Sequence, residues 1–242
     1  MTNSIEVINL SKKYKDKEAV ANINFKINEN EMVGLLGPNG CGKTTTIGMI
    51  LGLLKPTSGK VLINGIEVES NRVELLNNLN FISPYIELPK KLTVRQNLEV
   101  YGRLYDVKNL KVKIEYLSEK LRLDQIINKI TGELSSGQKN RVSLAKSIIN
   151  DPIVLLLDEP TASLDPETGD FIRSFLEDYQ KERETSILLA SHNMSEVERL
   201  CSSVFMMNNG SIIDQGSPEK LINKHGRKNM EEVFLKLARE KI

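Results

Sequence analysis

Tryptophan is absent from the 242 residues, and six Phe with six Tyr hold aromatics to 5%, too few for the stacking platforms that grip single-stranded nucleic acid. A charge excess is missing as well. Thirty-three Lys and Arg face 32 Asp and Glu, and a formal net charge of +1 creates no whole-chain field for a phosphate backbone. No nucleic acid partner is expected, although a local basic patch stays open. Cys41 and Cys201 are the only cysteines; they build neither a disulfide framework nor a complete metal site, which fits a reducing compartment, the cytoplasm by default. Long apolar runs are lacking too. Ile153 to Leu157 is among the longest, whereas a bilayer span needs roughly 18 to 20 residues, and Met1 to Leu10 has no signal-peptide core. The chain is therefore not expected to be a membrane channel itself.

What is present is the balance of a globular protein, 40% hydrophobic and 27% charged, at a length that suits one large domain or one domain with an insert. No repeat or Gly/Ser linker divides it. Apolar alternation over Ile5 to Leu10 and Asn22 to Asn28 predicts an antiparallel opening ribbon. Met32 to Leu36 is short and apolar throughout, as in a buried strand, and a helix is expected from near Lys43 to about Leu54, ahead of Pro56. Asn64-Gly65 marks a turn inside Val61 to Val68, and Leu79 to Ser83 reads as a strand stopped by Pro84. From Thr93 to Asn150 the apolar spacing becomes helical, with Leu98, Tyr101, Leu104 and Tyr105 on one face, and Thr93 with Gln96 forms a capping box. Ile153 to Leu157 and Ser186 to Ala190 resume buried parallel strands; Asn208-Asn209-Gly210 predicts a hairpin between Ser203 to Met207 and Ser211 to Asp214. Amphipathic helices near Pro218 to Lys224 and Met230 to Glu240 close the chain.

Three stretches carry chemistry. Gly37-Pro38-Asn39-Gly40-Cys41-Gly42-Lys43-Thr44 is a complete phosphate-binding loop between a strand and a helix. Its glycines let backbone N–H groups turn around phosphate oxygens, and the helix directs its positive end at the same anion. Lys43 adds a charge for the β and γ phosphates, and the Thr44 hydroxyl is a hard oxygen ligand for Mg²⁺. Asp158 and Glu159 end a hydrophobic strand, where open α/β sheets place ligands. Asp158 would hold magnesium, through water, and Glu159 would orient the attacking water; a plain solvated strand end is the competing reading. Leu134-Ser135-Ser136-Gly137-Gln138 precedes an amphipathic helix marked by Val142, Ala145, Ile148 and Ile149. Ser135 and Gln138 have the spacing of an ordinary capping box, yet the same helix start, with Gly137 allowing close approach, is also a second anion site. Cys41 sits at the phosphate-loop helix start, where the dipole can lower a thiol pKa; thiol reagents are expected to inhibit hydrolysis, with a small buried residue as the alternative.

In this order and spacing the three stretches resemble the ATP-binding cassette (ABC) family, over nearly the whole chain and most like exporter ATPase subunits. The resemblance implies an α/β P-loop NTPase core with a mostly parallel sheet, an N-terminal antiparallel part and an inserted helical subdomain. Residues 1–84 and 151–218 would be the core, 85–150 the helical part with the signature, and 219–242 the terminal helices. It implies ATP and Mg²⁺ as ligands. Nucleotide binding falls by position on Tyr14, Gly37, Pro38, Asn39, Gly40, Cys41, Gly42, Lys43, Thr44 and Thr45, and from an opposing subunit on Ser135, Gly137 and Gln138. Thr44 and Asp158 match the metal ligands, and Glu159 and His192 the catalytic pair. Tyr14 matches the aromatic that stacks on adenine, with an exposed strand-end tyrosine as alternative; His192 follows the strand to Ala190 onto the same sheet edge as Glu159. Ser163-Leu164-Asp165 matches the loop linking two active sites across a dimer, though Asp165-Pro166 alone passes as a turn. Two departures stand out. Ser136 replaces the usual first glycine of the signature, and Pro84 occupies the position of a metal-ligating glutamine, so no residue is assigned that role.

These features imply an ATP hydrolase that dimerises head to tail, with an identical chain or a related cassette, and drives export of a drug, a polysaccharide or a similar compound. A separate membrane permease would hold it on the inner face of the membrane. Leu92 to Leu98 and Met230 to Leu237 resemble such exporter subunits. A soluble ABC ATPase working on ribosomes or DNA is the alternative, disfavoured by balanced charge and the lack of a long coiled coil. A poorly hydrolysing regulator is the third, and Glu159 with His192 argues against it.

Overall fold

The structure, a computed structural model, describes residues 3–83 and 86–239. Its elements run in chain order as β1 (Asn3–Tyr14), β2 (Lys17–Asn28), β3 (Met32–Leu36), α1 (Lys43–Ile50), β4 (Ser58–Ile63), β5 (Ile66–Glu67), α2 (Val68–Leu75) and β6 (Leu79–Ile82). A helical stretch follows, α3 (Val94–Leu104), α4 (Leu110–Lys120), a 3-10 turn at Thr131–Glu133 and α5 (Ser136–Ser147). The core resumes with β7 (Val154–Asp158), α6 (Pro166–Arg183), β8 (Ser186–Ser191), α7 (Met194–Leu200), β9 (Ser203–Asn208) and β10 (Ser211–Gly216), and α8 (Pro218–His225) and α9 (Met230–Arg239) follow.

The strands form two sheets, an antiparallel one ordered β2-β1-β4-β5 and a larger one ordered β10-β9-β3-β8-β7-β6. In the larger sheet β9, β3, β8, β7 and β6 are parallel and only β10 is antiparallel. β3, β7 and β8 are buried at every position, which is why they read as unbroken apolar runs rather than as alternating ones. The two-residue period still sorts their side chains. Leu155 and Leu157 pack with Ile114, Val142, Ile172 and Leu176 of the helices, whereas Val154 and Leu156 pack with Ile47 of α1 and with Val7 and Phe25 of the antiparallel sheet. The parallel sheet is thus sandwiched, and its carboxyl ends converge on the loops after β3, β7 and β8. Each fully buried leucine here contributes roughly 1.5–3 kcal/mol.

Several boundaries differ from the sequence expectation, each for a local reason. β1 and β2 are longer than their alternation suggests because bulges, with Asn9 at φ 47° and Asn22 at φ 47°, break the period without ending the ladder. α1 stops at Ile50, short of Leu54. Gly52 turns left-handed at φ 65°, its N–H donates to the Met49 carbonyl (3.0 Å) and that of Leu53 donates to the Gly48 carbonyl (2.9 Å), a Schellman closure before Pro56 is reached. Leu104, placed on the apolar face by spacing, is 72% exposed. The Thr93 capping box is formed in both directions, and the 208–210 hairpin is formed with Asn209 and Gly210 both at positive φ. Pro84, the position of the expected strand stop and of the departure noted above, lies outside the described residues, as does Glu240 at the expected end of α9. Among the described residues no helix is long and apolar enough to cross a membrane.

Candidate functional site

The loop from Gly37 to Gly42 joins the carboxyl end of β3 to α1. Its shape requires the missing side chains at two points. A Cβ on Gly37 would lie 2.3 Å from the Met207 carbonyl oxygen, and Gly42, at φ 113°, would place one 2.5 Å from the Ala19 carbonyl oxygen. Gly42 is the N-cap of α1, no side chain caps that helix, and no acidic residue stands in its first turn. The positive end of α1 is therefore offered to an anion. Lys43 is buried, and its Nζ donates to the carbonyls of Gly37 (2.6 Å) and Pro38 (3.2 Å).

β7 delivers two carboxylates to the same place. Asp158 Oδ2 accepts from Thr44 Oγ1 at 2.9 Å, and its Oδ1 is buried without a hydrogen-bond donor. Burial pushes the Asp158 carboxyl above its ordinary range, against the pull of the Thr44 hydrogen bond. Glu159 adopts φ 52°, a left-handed conformation uncommon for a glutamate. That turn is held by its N–H donating to the Ala190 carbonyl of β8 at 2.8 Å. Glu159 Oε2 lies 2.7 Å from Nδ1 of His192, which follows β8, while Oε1 is buried, 3.8 Å from Lys43 Nζ. A cleft of about 460 Å³ gathers Tyr14, Asn39, Gly40, Gly42, Lys43, Thr44, Thr45, Asp158 and Glu159 around one space, with Lys17 and Ala19. Tyr14 is 45% exposed at its edge and carries Lys12 Nζ 5.2 Å from the ring centroid.

Magnesium fits this donor set. Thr44 offers a hydroxyl and Asp158 a buried, unpaired carboxylate oxygen, both hard ligands. Among the described residues no group of three or more His, Cys, Asp and Glu could hold a metal, so two protein ligands beside nucleotide phosphate and water are what the cleft supplies.

One expectation comes out differently. Cys41 is buried, its Sγ packs under Gly37 within the core cluster of β3 and α1, and burial pushes its thiol pKa up rather than down. It presents backbone, not a reactive thiol. The Ser135 helix start does not reach the cleft within this chain. Ser135 Oγ accepts from the Gln138 N–H and Gln138 Oε1 accepts from the Ser135 N–H, a complete capping box. Gly137 faces α6, where an added Cβ would meet Thr168 Cγ2 at 3.1 Å. A second cavity of about 230 Å³ is lined by Ser136 and Asn140 of α5 and also by Glu159. The Ser163 turn, at φ 61°, leads to Asp165, whose side chain caps α6.

Sequence reasoning passed over Glu196, Thr161 and Ser191. Glu196 is 1% exposed and accepts from Thr161 Oγ1 at 2.7 Å and from Ser191 Oγ at 2.8 Å. Three residues after Asn193, it has the position of a routine capping glutamate, and that spacing conceals its inward turn.

The chain matches the family model for ABC transporter over residues 20–162. It is 33% identical over 243 residues to the ABC transporter ATP-binding protein NatA of Bacillus subtilis (strain 168), with 97% of this chain and 98% of that protein covered. It is 37% identical over 223 residues to the Nod factor export ATP-binding protein I of Rhizobium etli, covering 91% of this chain and 70% of the other. A solved dimeric structure of a bacterial ABC transporter cassette superposes with a TM-score of 0.81 at 25% identity, over 88% of this chain and 98% of that one.

Proposed function

The chain belongs to the ABC transporter family as an ATP-binding, ATP-hydrolysing subunit, and from that premise we propose that two copies close head to tail around two ATP molecules to power export through a separate permease. One observation carries the head-to-tail reading. The cleft holding Lys43, Thr44, Asp158 and Glu159 has no contribution from Ser135, Gly137 or Gln138 of the same chain, so the Ser135 helix start serves a phosphate only when a second copy presents it. The export direction is supported by the likeness to the Nod factor export protein. The permease, the inner membrane face and the division into core, helical part and terminal helices belong to the same reading.

In this mechanism Tyr14 stacks on adenine, and the 37–45 loop wraps the phosphates with backbone N–H groups while Lys43 neutralises β and γ oxygens. Thr44 and Asp158 hold Mg²⁺, which supplies charge compensation at the phosphates. Glu159 accepts a proton from water as it attacks the γ phosphorus; the bond to the ADP oxygen breaks, and phosphate leaves. His192 holds the Glu159 carboxylate through Nδ1 and meets the γ phosphate with its other nitrogen. Closure of the second copy over the cleft completes the donors around that phosphate.

Mixed dimers test the arrangement. Lys43→Met and Ser135→Asp chains should each be inactive alone, and their mixture should recover hydrolysis, because one of its two sites then pairs an intact Lys43 with an intact Ser135. A mixture as inactive as its components rules out a shared site.

A further inference from the structure

We infer that Glu196 is a positioning residue for hydrolysis, its buried carboxylate fixing the loop that carries Glu159 against the loop that carries His192. The inference rests on the assignment of Glu159 and His192 above and adds a residue that touches neither nucleotide nor water.

Three rungs connect the ends of β7 and β8. The outermost is the exposed Glu159 to His192 contact at 2.7 Å, and the second is the backbone bond from the Glu159 N–H to the Ala190 carbonyl at 2.8 Å. The third is Glu196. One of its oxygens takes the hydroxyl hydrogen of Thr161, two residues past Glu159, and the other takes that of Ser191, one residue before His192. The Ala162 N–H donates back to the Glu159 carbonyl at 3.1 Å, so the Thr161 loop and the catalytic turn are one hydrogen-bonded unit. The outer rung is made by two side chains that must also serve substrate; the inner one is made by the buried Glu196 carboxylate and serves only the loops.

Helix capping does not account for the carboxylate. Asn193 is the N-cap of α7, its Oδ1 accepts from the Glu196 N–H at 3.3 Å, and its own N–H goes to Ser191 Oγ at 3.0 Å. The place where a capping glutamate would reach back is thus filled by a serine, and Glu196 turns inward. Stability alone does not explain it either, because a buried carboxylate is costly to desolvate and an apolar side chain of that volume is usually no worse for folding. The charged groups facing it are Arg173 of α6 and Glu159 itself.

The test removes the inner rung from the side opposite the helix. Thr161→Val keeps shape and deletes the hydroxyl. It should lower kcat for ATP about tenfold with KM within about twofold, because the site still binds but aims its base poorly. Thr161→Ser restores the hydroxyl and should restore kcat. Glu196→Met should match the Thr161→Val loss, and the double variant should be no slower than the slower single one, since both cut the same bridge. An unchanged kcat in Thr161→Val, a Thr161→Ser as slow as the valine variant, or losses that multiply in the double variant would overturn the inference. Glu159→Gln is run alongside. Inactive Glu159→Gln with unaffected Thr161→Val rejects only the positioning role, whereas a fully active Glu159→Gln removes the base assignment and this inference together.

Discussion

Two helix starts in this molecule look alike in sequence, each a glycine-bearing stretch leading into a helix, yet they are built for opposite purposes. α1 begins on a left-handed glycine with no side-chain cap, no acid in its first turn and a buried lysine at its first position. Its unsatisfied N–H groups and partial positive charge are left for a ligand. α5 begins on Ser135 with a capping box closed in both directions, so its own side chains already occupy two donors. A helix that answers its own needs is stable before any ligand arrives and is recruited rather than formed by it. In the composite site proposed above, one half would thus be held open by glycine geometry and the other held ready by a self-sufficient cap.

The contrast can be broken most forcefully at Lys43. Lys43→Met removes the buried ammonium that lies 3.8 Å from Glu159, and hydrolysis should fall by about a thousandfold or more, read as phosphate release. A variant that still turns over at a tenth of the parent rate would mean that the open start of α1 is not the phosphate site. Ser135 sharpens the other side. Aspartate is as good an N-cap as serine, so Ser135→Asp should leave the thermal midpoint nearly unchanged while repelling a phosphate and cutting hydrolysis about a hundredfold. Ser135→Ala should do the converse in part, losing about 1 kcal/mol of stability with the cap. Full activity in Ser135→Asp would reduce that helix start to a cap and nothing more.

The smallest effect concerns the far end of α5, where Lys146 fastens the helix against the rest of the molecule. Its Nζ lies 5.4 Å from the Phe81 ring of β6 and 5.1 Å from the Tyr101 ring of α3, and burial lowers its pKa from 10.5 to about 8. The unfolded chain therefore binds more protons than the native one between about 8 and 10.5, and stability from this group rises with pH across that window. Measured against Lys146→Met, the parent should gain about 1–2 kcal/mol over that range in denaturant unfolding, less than the full shift implies because the group is partly hydrated. A flat difference would show that the ammonium is solvated and that α5 is not pinned through it.

Much of this molecule was legible without coordinates. The run Met32 to Leu36, the glycine loop and Lys43 follow one another in a pattern whose physics is local, and the strand, the loop and the start of α1 are where that pattern puts them. The Thr93 and Ser135 capping boxes were equally readable, because a cap needs only residues three apart. Boundaries were less so. The end of α1 was set by a Schellman closure at Gly52 rather than by Pro56, and the opening strands were lengthened by bulges that hide a ladder from any test of alternation. Cys41 shows a deeper limit. Its place at a helix start argued for a lowered thiol pKa, but the side chain turns into the core, and desolvation outweighs the dipole.

Glu196 marks the boundary between the two kinds of knowledge. Sequence by itself determined the phosphate loop, the acid pair at a strand end and the family, since backbone conformation, helix polarity and residue order are properties of neighbours along the chain. Only the tertiary structure decided which side chains meet across 30 or more residues: that Thr44 reaches Asp158, that Glu159 reaches His192, and that Glu196 leaves its helix cap to join Thr161 to Ser191. Those contacts depend on the parallel register of β3, β8 and β7, which brings three distant strand ends to one edge, and no spacing within a single segment encodes it.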